Sequence, residues 1–424
     1  MDNRILNLAI AGIVLFLIDY YVLQAFLSTK TNPKTRKRIL YGYWILTGLT
    51  MLSVFIGVFM SIGRLIRTII FVWFFIDYFT KLFILPFLFI DDIRRGIIWL
   101  KEKVGMKKEK GGESTLIMAA DAPIEGGGIP RSDFLVKTGL LVASIPFAAL
   151  NIGMVSGVYD YKVKRKKLVL PNLPKAFEGM KLGQISDVHS GSFYNKRAVM
   201  GGIDLMNAEK PDMVFFTGDL VNDQTSEMHD YMDIFSKIKA PLGVYSVLGN
   251  HDYGDYIKWE SPQAKKQNLE DLKRVHKNLG WDLLMNENRK IRVDNEEIGV
   301  LGIENWGAMA RFPKHGRMDL AVKGTEDMPV KLLLSHDPSH WRAEILPKYQ
   351  DIDAMFSGHT HGMQFGVQFG DFQWSPVQYV YKEWAGFYKE NKQQLYVNVG
   401  YGFLGYPGRI GIYPEITIFE LTRG

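Results

Sequence analysis

The chain has 424 residues, 47% of them hydrophobic, a formal net charge of +6 and no cysteine. That length predicts two or three domains rather than one core. The absence of thiols excludes disulfides, thiolate metal sites, iron–sulfur clusters and cysteine nucleophiles, so any metal must be held by His, Asp, Glu or Asn.

Four apolar stretches, 5–27, 39–62, 65–90 and 134–158, are long enough to cross a membrane, whose hydrocarbon core of roughly 30 Å needs about 20 helical residues. In the third, Asp77 and Lys81 stand four apart and are expected to pair. Asp19 in the first has no partner evident from spacing. Basic residues cluster beside these stretches at 34–38, 101–110 and 162–167, which points to anionic lipid headgroups and topology control and not to nucleic acid. The expected partner of these stretches is a lipid bilayer, with no nucleic acid and no obligate protein partner.

The connections 28–38 and 91–131 are dense in Lys and Arg, so both are expected in the cytoplasm. Four spans then give a multi-pass cell-membrane protein whose C-terminal domain is extracytoplasmic. The run Arg131-Ser132-Asp133-Phe134-Leu135 resembles a twin-arginine export signal with Ser132 in place of one arginine, which pulls the same way. The basic run 162–167 pulls the other way, toward a cytoplasmic domain. The expected organisation is three helices with basic loops in 1–110, a flexible linker at 111–133 carrying three glycines at 126–128, a fourth helix at 134–160, and a soluble domain at 161–424.

From residue 181 onward, short apolar runs alternate with helical patterns, the signature of a layered α/β domain. Strands are expected at 181–185, 213–217, 244–248, 298–303, 331–334, 354–356, 395–399 and 415–421, and helices at 195–209, 227–237 and 262–279. Five of these strands run into side chains able to bind metal: Asp187-Val188-His189, Gly218-Asp219, Gly249-Asn250-His251-Asp252, Ser335-His336-Asp337 and Gly358-His359-Thr360-His361-Gly362. Each fragment alone is ordinary turn chemistry. Their joint occurrence at strand ends predicts one cleft, because the carboxyl edge of such a sheet is where ligands bind.

This ordered set resembles the calcineurin-like metallophosphoesterase superfamily, whose pattern is D-x-H, G-D, G-N-H-D/E, H and G-H-x-H. Membrane-anchored bacterial members look most alike, down to the terminal Pro414-Glu415-Ile416. The resemblance implies a four-layer α/β/β/α fold and two divalent or trivalent ions from Mn, Fe, Zn or Co, with Mn favoured. One ion is expected on Asp187, His189, Asp219 and His361, the other on Asp219, Asn250, His336 and His359, with Asp219 bridging. It further implies a bridging hydroxide attacking phosphorus, His251 serving the leaving oxygen and Asp252 orienting its imidazole. Met363 departs from the pattern, since relatives usually carry a second glycine there.

Two other features compete for attention. Gly400-Tyr401-Gly402-Phe403-Leu404-Gly405 matches a dinucleotide fingerprint, but Tyr406-Pro407-Gly408 breaks the helix that must follow; the loop is expected near the metals, with Arg409 a substrate contact. Aromatics crowd 365–388, among them Phe369, Phe372, Trp374, Tyr379, Tyr381, Trp384 and Phe387. They read as a packed surface insertion, the alternative being an apolar wall for bilayer or acyl chain.

The expected activity is hydrolysis of a phosphodiester or pyrophosphate bond in a membrane or envelope lipid-type substrate. The alternatives are a UDP-2,3-diacylglucosamine pyrophosphatase of lipid A synthesis, which several anchored relatives resemble and which needs a cytoplasmic domain, and a non-catalytic metal-binding scaffold.

Overall fold

The computed structural model describes residues 3–29, 32–105, 131–369 and 372–424. The chain divides into two compact units, Met1–Leu150 and Asn151–Gly424.

Among the described residues, four helices are long and apolar enough to cross a membrane: α1 (Asn3–Ser28), α2 (Pro33–Phe59), α3 (Arg64–Gly105) and α4 (Asp133–Val155). The second starts earlier than expected because Asn32 caps it, accepting the Thr35 amide, with Pro33 in its first turn. Most of the basic loop is therefore the start of a helix. The third runs on past residue 90 through the segment read as loop, helped by the i,i+3 pairs Asp91–Arg94 and Asp92–Arg95. Arg131, from the export-signal-like run, lies 3.2 Å from Asp92. Residues 111–130 of the expected linker lie outside the described residues, and Asp133 already opens α4.

Asp19 is fully buried, and it has partners that sequence spacing hid. Its carboxylate accepts from Lys81 Nζ at 2.6 Å, Tyr43 at 3.0 Å and Tyr78 at 2.5 Å, while Lys81 also reaches Asp77 at 2.6 Å. The expected Asp77–Lys81 pair is thus one edge of a network that ties α1, α2 and α3. A charge in that setting is tolerated only when paired in this way.

The second unit is built on two six-stranded sheets. The first has the order β1-β14-β2-β3-β4-β5 and the second β12-β13-β9-β8-β7-β6. Their strands are β1 (Lys162–Val169), β2 (Lys181–Ile185), β3 (Met213–Phe216), β4 (Val244–Ser246), β5 (Asp282–Leu283), β6 (Glu287–Val293), β7 (Glu296–Gly302), β8 (Lys331–Leu334), β9 (Ala354–Ser357), β12 (Gly386–Glu390), β13 (Gln393–Val397) and β14 (Glu415–Thr422). A separate hairpin joins β10 (Val367–Phe369) to β11 (Phe372–Trp374).

Period-two alternation assigns each strand's side chains to two layers. Phe215, Leu332, Leu334, Phe356 and Phe419 fill the core shared by the sheets. Val214 and Phe216 face the other way, toward α5 (Lys196–Ala208), α6 (Met232–Phe235) and α7 (Pro262–Leu279). Leu333 and Met355 pack under Trp341 and Ile345 on the far side. The result is the expected α/β/β/α sandwich.

Two local expectations change. The helix expected at 227–237 is a 3-10 turn, Thr225–Met228, followed by the single turn of α6, because the Thr225 amide and hydroxyl bond to Asn268 of α7 instead of continuing a helix. The basic run 162–167, read as a topology signal, is an edge strand parallel to β14, with Lys164 paired to buried Glu415 at 2.7 Å. Exposed lysines on an edge strand also keep other strands from pairing with it.

Candidate metal centre

β2, β3 and β4 are parallel in one sheet, and β7, β8, β9 and β13 are parallel in the other. The sheets place their carboxyl ends at a common edge, so the donors converge from two sheets and not from the single rim expected. The backbone bridges them: the His359 amide donates to the Asp187 carboxylate at 2.9 and 3.0 Å.

Asp187, His189 and His361 form one group, and Asp219, His336 and His359 a second, each with ligand atoms within 4.8 Å of one another. Asp219 spans both, with Oδ2 3.6 Å from His189 Nε2 and 3.1 Å from His336 Nε2. Asn250 donates its amide to Tyr256 at 2.8 Å, which leaves its carbonyl oxygen as the free donor atom. The six expected His and Asp ligands come together, and Asn250 lines the same cavity as His359.

Five of the seven, Asp187, His189, Asp219, His359 and His361, hold φ between 49° and 74°. Each left-handed non-glycine residue costs roughly 1–3 kcal/mol, and such strain gathers where function demands an aim that relaxed backbone cannot give. Met363 sits at φ 54° in the same bend, a left-handed conformation that favours glycine. Gly249 is required for another reason: a Cβ on it would stand 2.2 Å from Asp219 Oδ1.

The donor set fits cations. The ring nitrogens of His189, Nε2 of His361 and Oδ1 of Asn250 are buried without hydrogen-bond partners, which is costly unless something else takes their lone pairs. Burial pushes His189 down to about 3 and His359 to about 4, so both are neutral and ligand-competent. Burial also pushes the Asp187 carboxyl up to about 6. His336 goes the other way, to about 10: burial opposes the charge, but the Asp219 carboxylate outweighs it. The pattern is that of clustered carboxylates short of positive charge.

Second contacts fix the rings. His336 Nδ1 donates to the Thr217 carbonyl at 2.7 Å, turning Nε2 inward, and His251 Nδ1 does the same to Asn222 at 2.7 Å. His359 Nε2 bonds to the Tyr381 hydroxyl at 2.7 Å.

Two expected roles are corrected. The Asp252 carboxylate does not orient His251; it accepts the backbone amides of Asp219, Leu220, Val221 and Gly249 at 2.8 to 3.2 Å, so it braces the two ligand loops against each other. Burial, with the nearby Asp219 charge, pushes its carboxyl up to about 7. Arg409 is not a substrate contact. Only 1% exposed, it donates to the carbonyls of Val399, Gly400, Gly402 and Ile412, with Nη2 3.3 Å from His361 Nδ1. The glycine-rich loop 400–405 is thus wrapped on an arginine, and no helix follows it.

The cation that does border the site is Arg311. It lines a cavity of about 470 Å³ together with Asn250, His251, Tyr256, His359, Met363 and Val380. Nothing in the sequence marked Arg311, since its loop carries no motif; Tyr381 was visible only as one aromatic among many.

Two family profiles match the chain. "Probable Calcineurin-like phosphoesterase, transmembrane domain" covers residues 3–158 and "Calcineurin-like phosphoesterase" covers 180–363. Among relatives, "Transmembrane protein with metallophosphoesterase domain" of Danio rerio is 30% identical over 67% of this chain and 62% of its own length. "Uncharacterized metallophosphoesterase YkuE" of Bacillus subtilis is 28% identical over 59% and 81%, and "Uncharacterized metallophosphoesterase Cj0846" of Campylobacter jejuni 27% over 68% and 70%. The chain thus spans less than two thirds of the first of these relatives. With the motifs, the sandwich and the convergent donors, these matches establish that the chain belongs to the calcineurin-like metallophosphoesterase family, in the form that joins a four-helix transmembrane region to the metal-binding domain.

Proposed function

We propose that the protein is a two-metal hydrolase that cleaves a phosphodiester or pyrophosphate bond of a lipid-type membrane or envelope substrate. The observation that carries this reading is the convergence of six His and Asp donors, with buried lone pairs left over on His189, His361 and Asn250. Asp187, His189, Asp219 and His361 would hold one ion, and Asp219, Asn250, His336 and His359 the other. Imidazole, carboxylate and amide donors without thiolate favour Mn over softer ions. When bound, two such ions supply an activated water and a positive seat for phosphate oxygens.

The chain's own groups do the rest. His251, anchored through Nδ1 on Asn222, keeps Nε2 for proton transfer at the leaving oxygen. Asp252 holds the loops that carry Asp219 and Asn250 in register. Arg311 meets the phosphate from the side away from the ions.

The catalytic domain, taken as 161–424 and joined through 111–133 and the fourth span to the helices of 1–110, is proposed to be extracytoplasmic. The basic connections support this, and pairing of the 162–169 strand gives its lysines a structural reason that needs no topology role.

The test is hydrolysis of bis-p-nitrophenyl phosphate and p-nitrophenyl phosphate by purified protein with Mn²⁺, Mg²⁺, Zn²⁺ or chelator, beside Asp219→Asn. Metal-dependent cleavage lost in the variant is expected. Inactivity with every metal, in protein shown by elemental analysis to carry bound ions, would turn the reading to a scaffold.

A further inference from the structure

The hairpin β10–β11 is amphipathic the wrong way round for a soluble domain. Val367 pairs with Trp374 and Phe369 with Phe372, so these four share one face, while Gln368 and Gln373 share the other. Gln373 Nε2 donates to the Ala385 carbonyl at 3.2 Å and Trp374 is half-buried beside Phe365, while Val367, Phe369 and Phe372 are exposed. Phe369 is 83% exposed and Phe372 63%. A two-stranded hairpin has little stability of its own in water, and exposed contiguous apolar faces mark interaction surfaces.

In this lip, strand β11 is followed by the turn Pro376–Tyr379, which leads to Val380 at the cavity beside the metal site. Met363 and Val380 are both exposed and both line the cavity that holds His251, His359 and Arg311. Tyr379, 77% exposed, stands next to Val380. The cavity therefore has a cationic wall at Arg311 and a hydrocarbon wall that leads outward. Four candidate spans in the same chain keep the domain at a bilayer, and aromatic side chains are the ones that settle at its interface.

We propose that the lip and the cavity form one amphiphile-binding entrance: Arg311 takes the phosphate oxygens, and the apolar wall from Val380 and Met363 to Phe369 and Phe372 takes the hydrocarbon chain of a membrane lipid phosphodiester. This rests on the phosphohydrolase reading above and adds which end of the substrate each wall holds.

The test uses the full chain in mixed micelles with Mn²⁺ and two probes, hexadecyl p-nitrophenyl phosphate and methyl p-nitrophenyl phosphate. In both, water's oxygen bonds to phosphorus as the aryl oxygen leaves as p-nitrophenolate, so the chemistry is held constant. Wild type should prefer the long chain by at least about tenfold in kcat/KM, since several methylenes leave water. Phe369→Ser with Phe372→Ser should bring that ratio to within about twofold of unity, and Tyr379→Ser alone should lower it. A ratio near one in active wild type overturns the proposal, as does a preference that survives the double substitution. No cleavage of either probe, with metal bound, overturns the underlying reading as well and is distinguishable from both.

Discussion

Nδ1 of His359 faces Nε2 of His336 across 3.2 Å, and the outer nitrogen of each ring is already engaged, one by the Thr217 carbonyl and one by the Tyr381 hydroxyl. Two ring lone pairs cannot face each other at that distance without a proton or a cation between them. His336→Ala or His359→Ala should therefore leave about one ion per chain where wild type holds about two, read by elemental analysis after gel filtration. Tyr381→Phe should keep both sites but weaken the second by about 10–100-fold, the usual effect of losing such a supporting contact. Full metal content in the histidine variants would remove them from the ligand set.

His251 is anchored by a backbone carbonyl and adds no atom to either donor group. His251→Ala is expected to retain its metals and to lose about 10²–10⁴ in kcat. Its effect should be smaller on an ester with a good leaving group such as p-nitrophenolate than on an alkyl ester. Loss of metal in this variant would show that the imidazole is a ligand instead.

Asp252 accepts four backbone amides from two ligand loops. Asp252→Ala would strand those amides, at a cost of about 1–3 kcal/mol for each one left buried and unmade, offset where water enters. The expected outcome is a lower Tm together with loss of metal. A folded, metal-loaded Asp252→Ala protein with only kcat reduced would restore the role of orienting His251.

Arg311 and Arg409 should separate cleanly. Arg311→Ala is expected to raise KM for bis-p-nitrophenyl phosphate by about tenfold, as lost charge-assisted hydrogen bonds of about 1.5–3 kcal/mol imply, with Tm unchanged. Lys at 311 should recover part of it. Arg409→Lys cannot reach the same carbonyls with a single ammonium, so Tm should fall while KM in the remaining folded fraction stays put.

In the membrane unit, Lys81→Met leaves Asp19 and Asp77 without their shared cation. Removing one partner of a buried pair costs on the order of 3–5 kcal/mol, read as a drop in Tm in detergent. Adding Asp19→Asn should recover part of that loss, because the remaining groups are then neutral. An unchanged Tm in Lys81→Met would show the network to be dispensable.

Much of the site was legible because family chemistry and strand position agree. Asp187, His189, Asp219, Asn250, His336, His359 and His361 each follow an apolar run, and the run's short length and apolar composition give the strand directly. The four spans were equally legible, since a hydrocarbon core reads length and apolarity alone. Their ends were less so, because Asn32 capping and the Asp91–Arg94 pair extend helices beyond the apolar limit. The strand at 162–169 was hidden for a related reason: lysines beside a span and lysines on an edge strand look the same until a partner strand is known.

What the sequence determined by itself is the inventory: which residues can bind metal, which segments are long and apolar enough to cross a bilayer, and which strands precede which donors. The tertiary structure decided what each polar side chain is spent on. Asp252 reaches amides 31 to 33 residues away, Lys81 finds Asp19 62 residues away, and Arg409 is folded into carbonyls of its own loop. A hydrogen bond is satisfied by whatever lies within about 3 Å. Chain separation sets no limit on that neighbour, so only packing could choose it.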